Sequence, residues 1–204
     1  MDEIAENGGN KEDQELSYVF SLVFGYRATM AVFAATDLDI FNRVQSGPAA
    51  AAEVARSADS HPPSTELLLD ACVGLGLLAK VDGRYRNTAL ADRFFVEGSP
   101  TYLGNHCVLQ IHNFRNWASL PETIRTNRPA AEPPPPDPLR TRRLALAYHE
   151  AAATIGEKMH EGIDLAGCRS FLGVGPRTNT YVLKLASEYP DLRARILVKS
   201  ASHL

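Results

Sequence analysis

The chain has 204 residues, of which 45% are hydrophobic and 22% are charged, as in an ordinary soluble globular protein. This length is enough for one domain and part of another. The formal net charge of −3 gives no overall positive field that would attract nucleic acid or an anionic lipid surface.

The start of the chain and its thiols predict a cytoplasmic protein. Residues 1–13 are acidic and lack the basic and apolar segments of a signal peptide, so we expect a disordered arm there. We expect no membrane span, because no apolar run approaches the ~20 residues that a bilayer requires. Cys72, Cys107 and Cys168 lie far apart without C-x-x-C spacing, which predicts reduced thiols in the core.

Residues 14–100 predict a small helical domain that ends in a hairpin. A helix at 16–35 is apolar over much of its surface, which is typical of a helix that packs into a larger core or against a second subunit. An alanine-rich helix follows at 49–57, and Ser64 is a candidate N-cap of a helix at 66–78. The inward face of that last helix is expected to carry Leu67, Leu68, Ala71, Leu75 and Leu78.

Residues 79–87 predict a β-hairpin, because Asp82-Gly83 suits the two positive φ angles of a type I′ turn. Short helices followed by a hairpin are typical of a winged-helix domain. A DNA-binding winged helix places basic side chains on its recognition helix. The candidate helix at 65–78 has no Lys or Arg and carries Glu66 and Asp70, so we expect no nucleic-acid partner.

Residues 101–165 predict a helical connector with a proline-rich loop. Helical patterns at 102–120 and 139–161 flank four consecutive prolines at 133–136, which form extended polyproline II and exclude a helix interior. His, Cys, Asp and Glu nowhere have the spacing of a zinc site, so we expect no metal.

Residues 166–204 predict a truncated, Rossmann-like α/β fragment in a chain that is otherwise mainly α. Residues 170–189 read as the strand, turn and helix of a nucleotide-binding unit, which needs glycines so that backbone N–H groups can approach the ligand. A proline without an N–H and a bulky arginine, Pro176 and Arg177, occupy this turn. A second strand is expected at 194–197.

Two segments that lie far apart in the sequence resemble the same protein family. Residues 64–78, followed by Tyr85-Arg86-Asn87-Thr88, and residues 172–181 are similar to the S-adenosylmethionine-dependent O-methyltransferases of the hydroxyindole (acetylserotonin) and caffeate type. The resemblance extends over about residues 16–197. It implies that residues 14–100 form an intertwined dimerisation domain, which in that family helps to close the substrate pocket of the partner.

The chain departs from this family in the cofactor loop, where the family has a strand and turn like L-D-V-G-G-G-T-G-T-Y. Gly173 and Val198 stand where the family has acidic residues, and glycines are replaced at three positions. The degenerate loop comprises Gly173, Gly175, Pro176, Arg177, Asn179 and Val198. Each lost hydrogen bond to a ligand costs about 0.5–1.5 kcal/mol, so we expect no cofactor on this chain alone, with S-adenosylmethionine bound by the family or by a partner. The family's catalytic histidine would lie beyond Leu204, so no residue is carried over as catalytic.

The resemblance and these departures leave three hypotheses. The leading one is a truncated homologue that acts as a dimerisation or accessory subunit of a methyltransferase or another natural-product pathway enzyme, as a homodimer or a heteromer. The second is a cofactor-independent small-molecule-binding protein or enzyme on the same scaffold. The third is the N-terminal half of a split O-methyltransferase. A substrate pocket would draw on His112, Phe114, Trp117, Tyr148 and Met159, although packing or surface hydrogen bonding also explains these residues.

Overall fold

The computed structural model describes residues 11–128, 138–156, 165, 167–175 and 179–198. The chain divides into two compact units, residues 1–86 and residues 87–204. The described part is mainly helical, as predicted. This division follows from packing alone and does not test the predicted domains. The predicted segments 14–100, 101–165 and 166–204 therefore remain predictions.

The first unit combines helices with a three-stranded sheet. Helix α1 begins at Lys11, so residues 11–13 of the predicted disordered arm are helical, and residues 1–10 lie outside the described residues. The elements in chain order are α1 (Lys11–Asp37), α2 (Ile40–Arg43), β1 (Ala49–Ala50), α3 (Ala51–Ser57), α4 (Pro62–Gly74), β2 (Leu78–Val81) and β3 (Arg84–Asn87).

The sheet of the first unit has the strand order β1-β3-β2. Asp82 and Gly83, between β2 and β3, have φ angles of 49° and 72°, which confirms the predicted hairpin and its type I′ turn. Strand β1 was not predicted, because Ala49 and Ala50 were assigned to the following helix. These two alanines pair antiparallel with Tyr85 and Arg84.

The core of the first unit is built from α1, α2, α3, α4 and the hairpin. Helix α4 buries Thr65, Leu69 and Cys72. The predicted inward face is therefore wrong for Leu67, which is 72% exposed, and for the exposed Ala71 and Leu75. Leu68 is half-buried, and Leu78 is buried but lies in β2. Ser64 is not the N-cap, because Pro62 occupies the first turn and His61 precedes it. The buried apolar residues of this unit are Phe33, Ala35, Ile40, Phe41, Val44, Val54, Ala55, Leu69, Cys72, Leu77, Leu78 and Tyr85.

The second unit contains five helices among its described residues and a two-stranded sheet. The predicted helix at 102–120 is divided, because α6 ends at Ala118 and Pro121 lies in the first turn of the next helix. The proline-rich residues 133–136 lie outside the described residues. The elements are α5 (Ala89–Phe95), α6 (Gly104–Ala118), α7 (Leu120–Thr126), α8 (Pro138–Gly156), β4 (Ser170–Val174), α9 (Asn179–Glu188) and β5 (Arg193–Leu197).

Strands β4 and β5 are parallel, with Ser170 opposite Arg193 and Val174 opposite Leu197. Helix α9 packs against both strands and buries Val182 and Leu185. Because Gly173 is buried while its neighbours along β4 are exposed, α9 covers the face of the sheet that carries Gly173. The predicted order of strand, helix and strand is confirmed, and residues 176–178 of the predicted turn lie outside the described residues.

Among the described residues, α1 is long and apolar enough to cross a membrane by length and composition, with a mean hydropathy of 1.4 over 18 residues. This corrects the sequence expectation that no apolar run comes near that length. Core helices of soluble proteins meet the same two criteria, so the packing of α1 decides how this property is interpreted.

Candidate functional site

Helix α1 presents an apolar surface that the described chain does not cover. Residues 11–30 are exposed on all sides, and α1 enters the core only near its end, at Phe33 and Ala35. Apolar side chains all round a helix are typical of one that is buried in a larger assembly. The exposed large side chains, 39–66% accessible, are Leu16, Tyr18, Val19, Phe20, Leu22, Val23, Phe24, Tyr26 and Met30.

Helix α4, on which α1 packs, adds a second exposed apolar line. Leu67, Ala71 and Leu75 are four residues apart and therefore share one face of α4, and all three are exposed. This is part of the face that the sequence predicted to point inward. We call the exposed apolar residues of α1 and α4 together the apolar docking surface.

Gly25 lies in the middle of the exposed part of α1. A Cβ added there would meet no atom within 4 Å, so no close contact inside the described chain explains the glycine. Two neighbouring aromatic rings, Phe20 and Phe24, lie 5.6 Å apart, and the Arg27 guanidinium lies 4.5 Å from the Phe24 ring centre. Gly25 has no side chain and lies next to these large aromatic rings. A second helix can therefore approach the backbone of α1 closely at Gly25.

A polar cluster joins α4 to the hairpin. The buried Tyr85 donates its hydroxyl to Oδ1 of Asp70 over 2.8 Å. Lys80 donates to the same oxygen over 2.8 Å and to Oε1 of Glu66 over 3.4 Å. The hydrogen bonds from Lys80 and then from Tyr85 lower the pKa of Asp70 below its ordinary value. Burial raises the pKa of Tyr85, which keeps its hydroxyl protonated as a donor.

The hairpin charges are largely paired inside the unit. Arg84 donates to Oε2 of Glu53 over 2.8 Å, while Lys80 is held by Asp70 and Glu66. The backbone N–H of Ala50, and then Arg84, lower the pKa of Glu53. Phosphate contacts need free positive charge, so this pairing agrees with the expectation of no nucleic-acid partner, which remains a prediction.

The altered nucleotide loop lies at the carboxyl end of β4. Gly175 has a φ of 112°, and its N–H donates to the carbonyl of Leu197 over 2.8 Å. Val198 follows β5 directly and is 47% exposed. At the positions of Gly173 and Val198 no side chain offers an oxygen acceptor. Pro176 and Arg177 lie outside the described residues, and Asn179 is the first residue of α9.

The predicted pocket residues occupy different environments in the second unit. Phe114 on α6 and Tyr148 on α8 are half-buried, on two helices that pack against each other. Trp117 is 68% exposed. The side chain of His112 and all of Met159 lie outside the described residues. The predicted pocket therefore remains a prediction.

A carboxylate from α8 binds the first turn of α6, which sequence reasoning missed. Glu150 accepts from the Asn105 side chain over 2.5 Å and from the backbone N–H of His106 over 3.0 Å. Its neighbour His149 instead lies 3.4 Å from the Thr180 hydroxyl in α9. No local signal marks this contact, because the partners are 44 and 45 residues apart.

The three cysteines occupy different environments. Cys72 is buried, and burial raises the pKa of its thiol to about 11. Cys107 is half-buried and Cys168 is exposed, so the expectation of a core thiol is wrong for Cys168, which precedes β4. Within the described ranges, no group of three His, Cys, Asp or Glu side chains could hold a metal ion.

A segment that covers most of the first unit and the start of the second matches a known domain family. Residues 20–97 match the family model of the O-methyltransferase dimerisation domain. This segment is an O-methyltransferase dimerisation domain. The match contains the exposed rings of Phe20, Phe24 and Tyr26, the exposed face of α4 and the whole hairpin.

The chain is also similar to known proteins beyond this segment. It is 30% identical over 185 residues to the 3-hydroxy-5-methyl-1-naphthoate 3-O-methyltransferase of Streptomyces sahachiroi, covering 86% of this chain and 53% of that protein. It is 38% identical over 120 residues to the acetylserotonin O-methyltransferase of Rattus norvegicus, covering 57% and 27% respectively. The chain thus spans about half, or less, of the length of these relatives.

Solved structures show the same fold. Human N-acetylserotonin methyltransferase, in complex with S-adenosylmethionine, matches with a TM-score of 0.75 at 24% identity, covering 93% of this chain and 60% of that one. An O-methyltransferase family protein from Burkholderia thailandensis matches with a TM-score of 0.70 at 24% identity, covering 89% and 55%.

Proposed function

We propose that the chain is a non-catalytic O-methyltransferase homologue that acts through association, as a dimerisation or accessory subunit. The observation that carries this proposal is the apolar docking surface, most of which lies within the dimerisation domain at residues 20–97. Contiguous exposed apolar patches of this kind mark protein–protein interaction sites. Covering the surface with a second subunit would contribute roughly 25 cal/mol for each Å² of apolar area removed from water.

A second copy of the chain is the first expected partner. A two-fold dimer uses the same patch on both subunits, and an apolar patch satisfies that requirement without charge complementarity. The same surface would accept the related domain of a full-length methyltransferase or of another natural-product pathway enzyme. The order α2-β1-α3-α4-β2-β3 supports a winged-helix assignment for this unit, with the hairpin as the wing.

We further propose that this chain alone does not bind S-adenosylmethionine. Gly173 and Val198 provide no oxygen to accept hydrogen bonds from the ligand. The N–H of Gly175, which opens the turn, is engaged by Leu197. Several lost contacts of about 0.5–1.5 kcal/mol each would lower the affinity by orders of magnitude. The cofactor is then bound by a partner.

A protein cover for α1, in the cytoplasm, fits its sequence better than a lipid cover. Arg27 lies within the apolar part of α1, after the uncharged residues 16–26, and a charged side chain is costly inside the apolar core of a bilayer. The end of the helix is fixed in the protein core at Phe33 and Ala35. Cytoplasmic localisation follows from this proposal.

The proposal is tested by isolating the tagged chain from its native host at low salt and measuring the mass and composition of the complex. The chain has a mass of 22.3 kDa, and a homodimer would have twice that mass. A stoichiometric methyltransferase or methyltransferase fragment would identify an accessory subunit or one half of a split enzyme. A monomer that co-purifies with nothing would refute association.

A calorimetric titration of the purified chain with S-adenosylmethionine tests the cofactor part separately. We expect no saturable binding up to millimolar ligand. Micromolar binding by the isolated chain would contradict this part of the proposal and leave the association part unaffected.

A further inference from the structure

Three arginines line a cavity on the face of the second unit's sheet that α9 does not cover. The cavity has a volume of about 830 Å³, and Arg169, Arg193 and Arg195 are among its lining residues. Arg193 and Arg195 are two residues apart on β5, so their side chains leave the same face of the strand. The backbone N–H of Arg193 donates to the carbonyl of Arg169 over 3.1 Å, which brings the third arginine to the same end of the sheet.

The three positive charges in this cavity are not neutralised within the described part of the chain. None of the three guanidinium groups forms a hydrogen bond or an ion pair with a described residue. Asp191 also lines the cavity and supplies one carboxylate against three guanidiniums. Like charges held close together repel one another, and a bound anion would relieve that repulsion.

The cavity also differs from an ordinary face of a parallel sheet. Such faces are apolar because helices cover them. Here the register places Arg193 opposite Ser170 and Arg195 opposite Leu172, so the part of this face that lines the cavity carries two charged groups and one hydroxyl beside one exposed apolar side chain, with the exposed Val174 and Leu197 further along the strands. The face therefore combines anion-binding groups with a small apolar wall.

We propose that this cavity binds a small ligand through a phosphate or diphosphate group. The planar guanidinium donates two parallel hydrogen bonds to phosphate oxygens, and the Ser170 hydroxyl can add another donor. The volume lies within the 300–1,000 Å³ that is usual for small-molecule sites. Leu172 would contact the uncharged part of the ligand.

This site is separate from the altered nucleotide loop. Its lining residues lie just before β4 and β5 or among the first three residues of each strand, whereas Gly175 and Val198 follow the carboxyl ends. Nucleotides in open α/β sheets bind outside the carboxyl ends of the strands. The proposed site therefore does not depend on the missing cofactor contacts.

The test is a calorimetric titration of the full chain with inorganic pyrophosphate and with adenosine diphosphate at constant ionic strength. The R193Q/R195Q variant should bind at least about a hundredfold more weakly, because each lost charge-assisted contact costs about tenfold. The R142Q/R143Q variant is the matched control, since it removes the same charge from two exposed arginines of α8 and should bind like the wild type. Equal affinity for both probes would indicate a free diphosphate ligand, and tighter binding of the nucleotide would indicate a nucleotide.

Three outcomes would overturn the proposal. The first is no binding of either probe, and the second is equal weakening in both double variants, which would show unspecific charge attraction. The third is tight binding of a polyglutamate peptide that pyrophosphate does not displace, which would indicate an acidic protein partner instead.

A second measurement uses the unaltered chain and does not depend on the folding of a variant. Phenylglyoxal modifies accessible arginines, and the modified residues can be identified by mass spectrometry. Pyrophosphate should slow the modification of Arg193 and Arg195 and leave Arg142 and Arg143 unaffected. Identical rates with and without pyrophosphate would contradict the site.

Discussion

The hydroxyl of Tyr85 donates a hydrogen bond to Oδ1 of Asp70 over 2.8 Å and so joins strand β3 to helix α4. The ring of Tyr85 is fully buried while the carboxylate of Asp70 lies at the surface, so the contact spans the boundary of the core. Lys80 completes the cluster from β2. Three elements that are separate in sequence thus share one carboxylate.

Asp70 should make the stability of the first unit sensitive to acid. Its pKa is lowered in the folded chain, so its contribution is fully present above the unfolded pKa of about 3.9 and is lost as the pH falls through the lower folded pKa. Asp70→Asn should therefore be less stable at pH 7 and lose less stability between pH 5 and pH 3. Urea unfolding at fixed protein concentration measures both effects.

Asp59→Asn is the control for this prediction, because Asp59 is exposed and has a positive φ of 48° that asparagine also tolerates. Its stability profile should follow that of the wild type. If Asp70→Asn and the wild type lose stability in parallel as the pH falls, the carboxylate of Asp70 does not contribute in this way.

Glu150→Ala should destabilise the second unit by about 1–2 kcal/mol. The substitution removes an acceptor from a backbone N–H in the first turn of α6, which has the energetic cost of a lost helix cap. His149→Ala is the matched control, since His149 is the adjacent residue with one long contact, and it should change stability by less than about 0.5 kcal/mol. Chemical unfolding followed by circular dichroism gives both values, and equal effects would contradict the capping role.

Val23→Asp should weaken self-association by at least about a hundredfold, because burying an unpaired charge in an apolar interface costs several kcal/mol. Val81→Asp is a close control: both valines are 54% exposed, but Val81 lies on the hairpin. Sedimentation equilibrium measures the dissociation constants, and circular dichroism verifies that both variants fold. Equal dissociation constants for the two variants would show that α1 does not form the interface.

The thiols should react with iodoacetamide in the order Cys168, Cys107, Cys72. The thiolate is the reactive form, and a pKa of about 11 leaves about a thousandth of Cys72 ionised at pH 8. Its burial slows the reaction further, whereas Cys168 is exposed. Peptide mass spectrometry over time gives the order, and the unfolded chain should show similar rates for all three. Early labelling of Cys72 in the folded chain would contradict its buried position.

Local chemistry in the sequence was enough to predict the hairpin and the strand–turn–helix at 170–188. The two residues Asp82 and Gly83 are enough to determine the turn of the hairpin. The apolar residues before Gly175 are compatible with few structures other than a strand. Strand β1 could not be predicted, because two alanines have no strand preference and are extended only through pairing with Tyr85 and Arg84. The division between α6 and α7 depends on Pro121, whose effect an apolar pattern does not show.

The sites were predicted less completely than the fold. Helical periodicity showed that Leu67 and Leu75 share one apolar face, but it could not show whether another part of the chain covers that face. The sequence therefore assigned an exposed face to the core. The arginine cavity was missed because Arg169 and Arg193 are far apart in sequence and meet only through the register of β4 and β5. The changes in the altered loop could be predicted without the structure, because the residue types alone show that a carboxylate is missing.

The uncovered surface of α1 has a consequence for synthesis. Helix α1 precedes α4 and the hairpin in the chain, so its aromatic residues leave the ribosome before these two elements do. For a dimer, each tenfold dilution lowers the apparent stability by about 1.4 kcal/mol. Neighbouring ribosomes on one messenger are then the richest source of a second α1, and translation rate would determine how long each new chain is exposed to proteases and to aggregation.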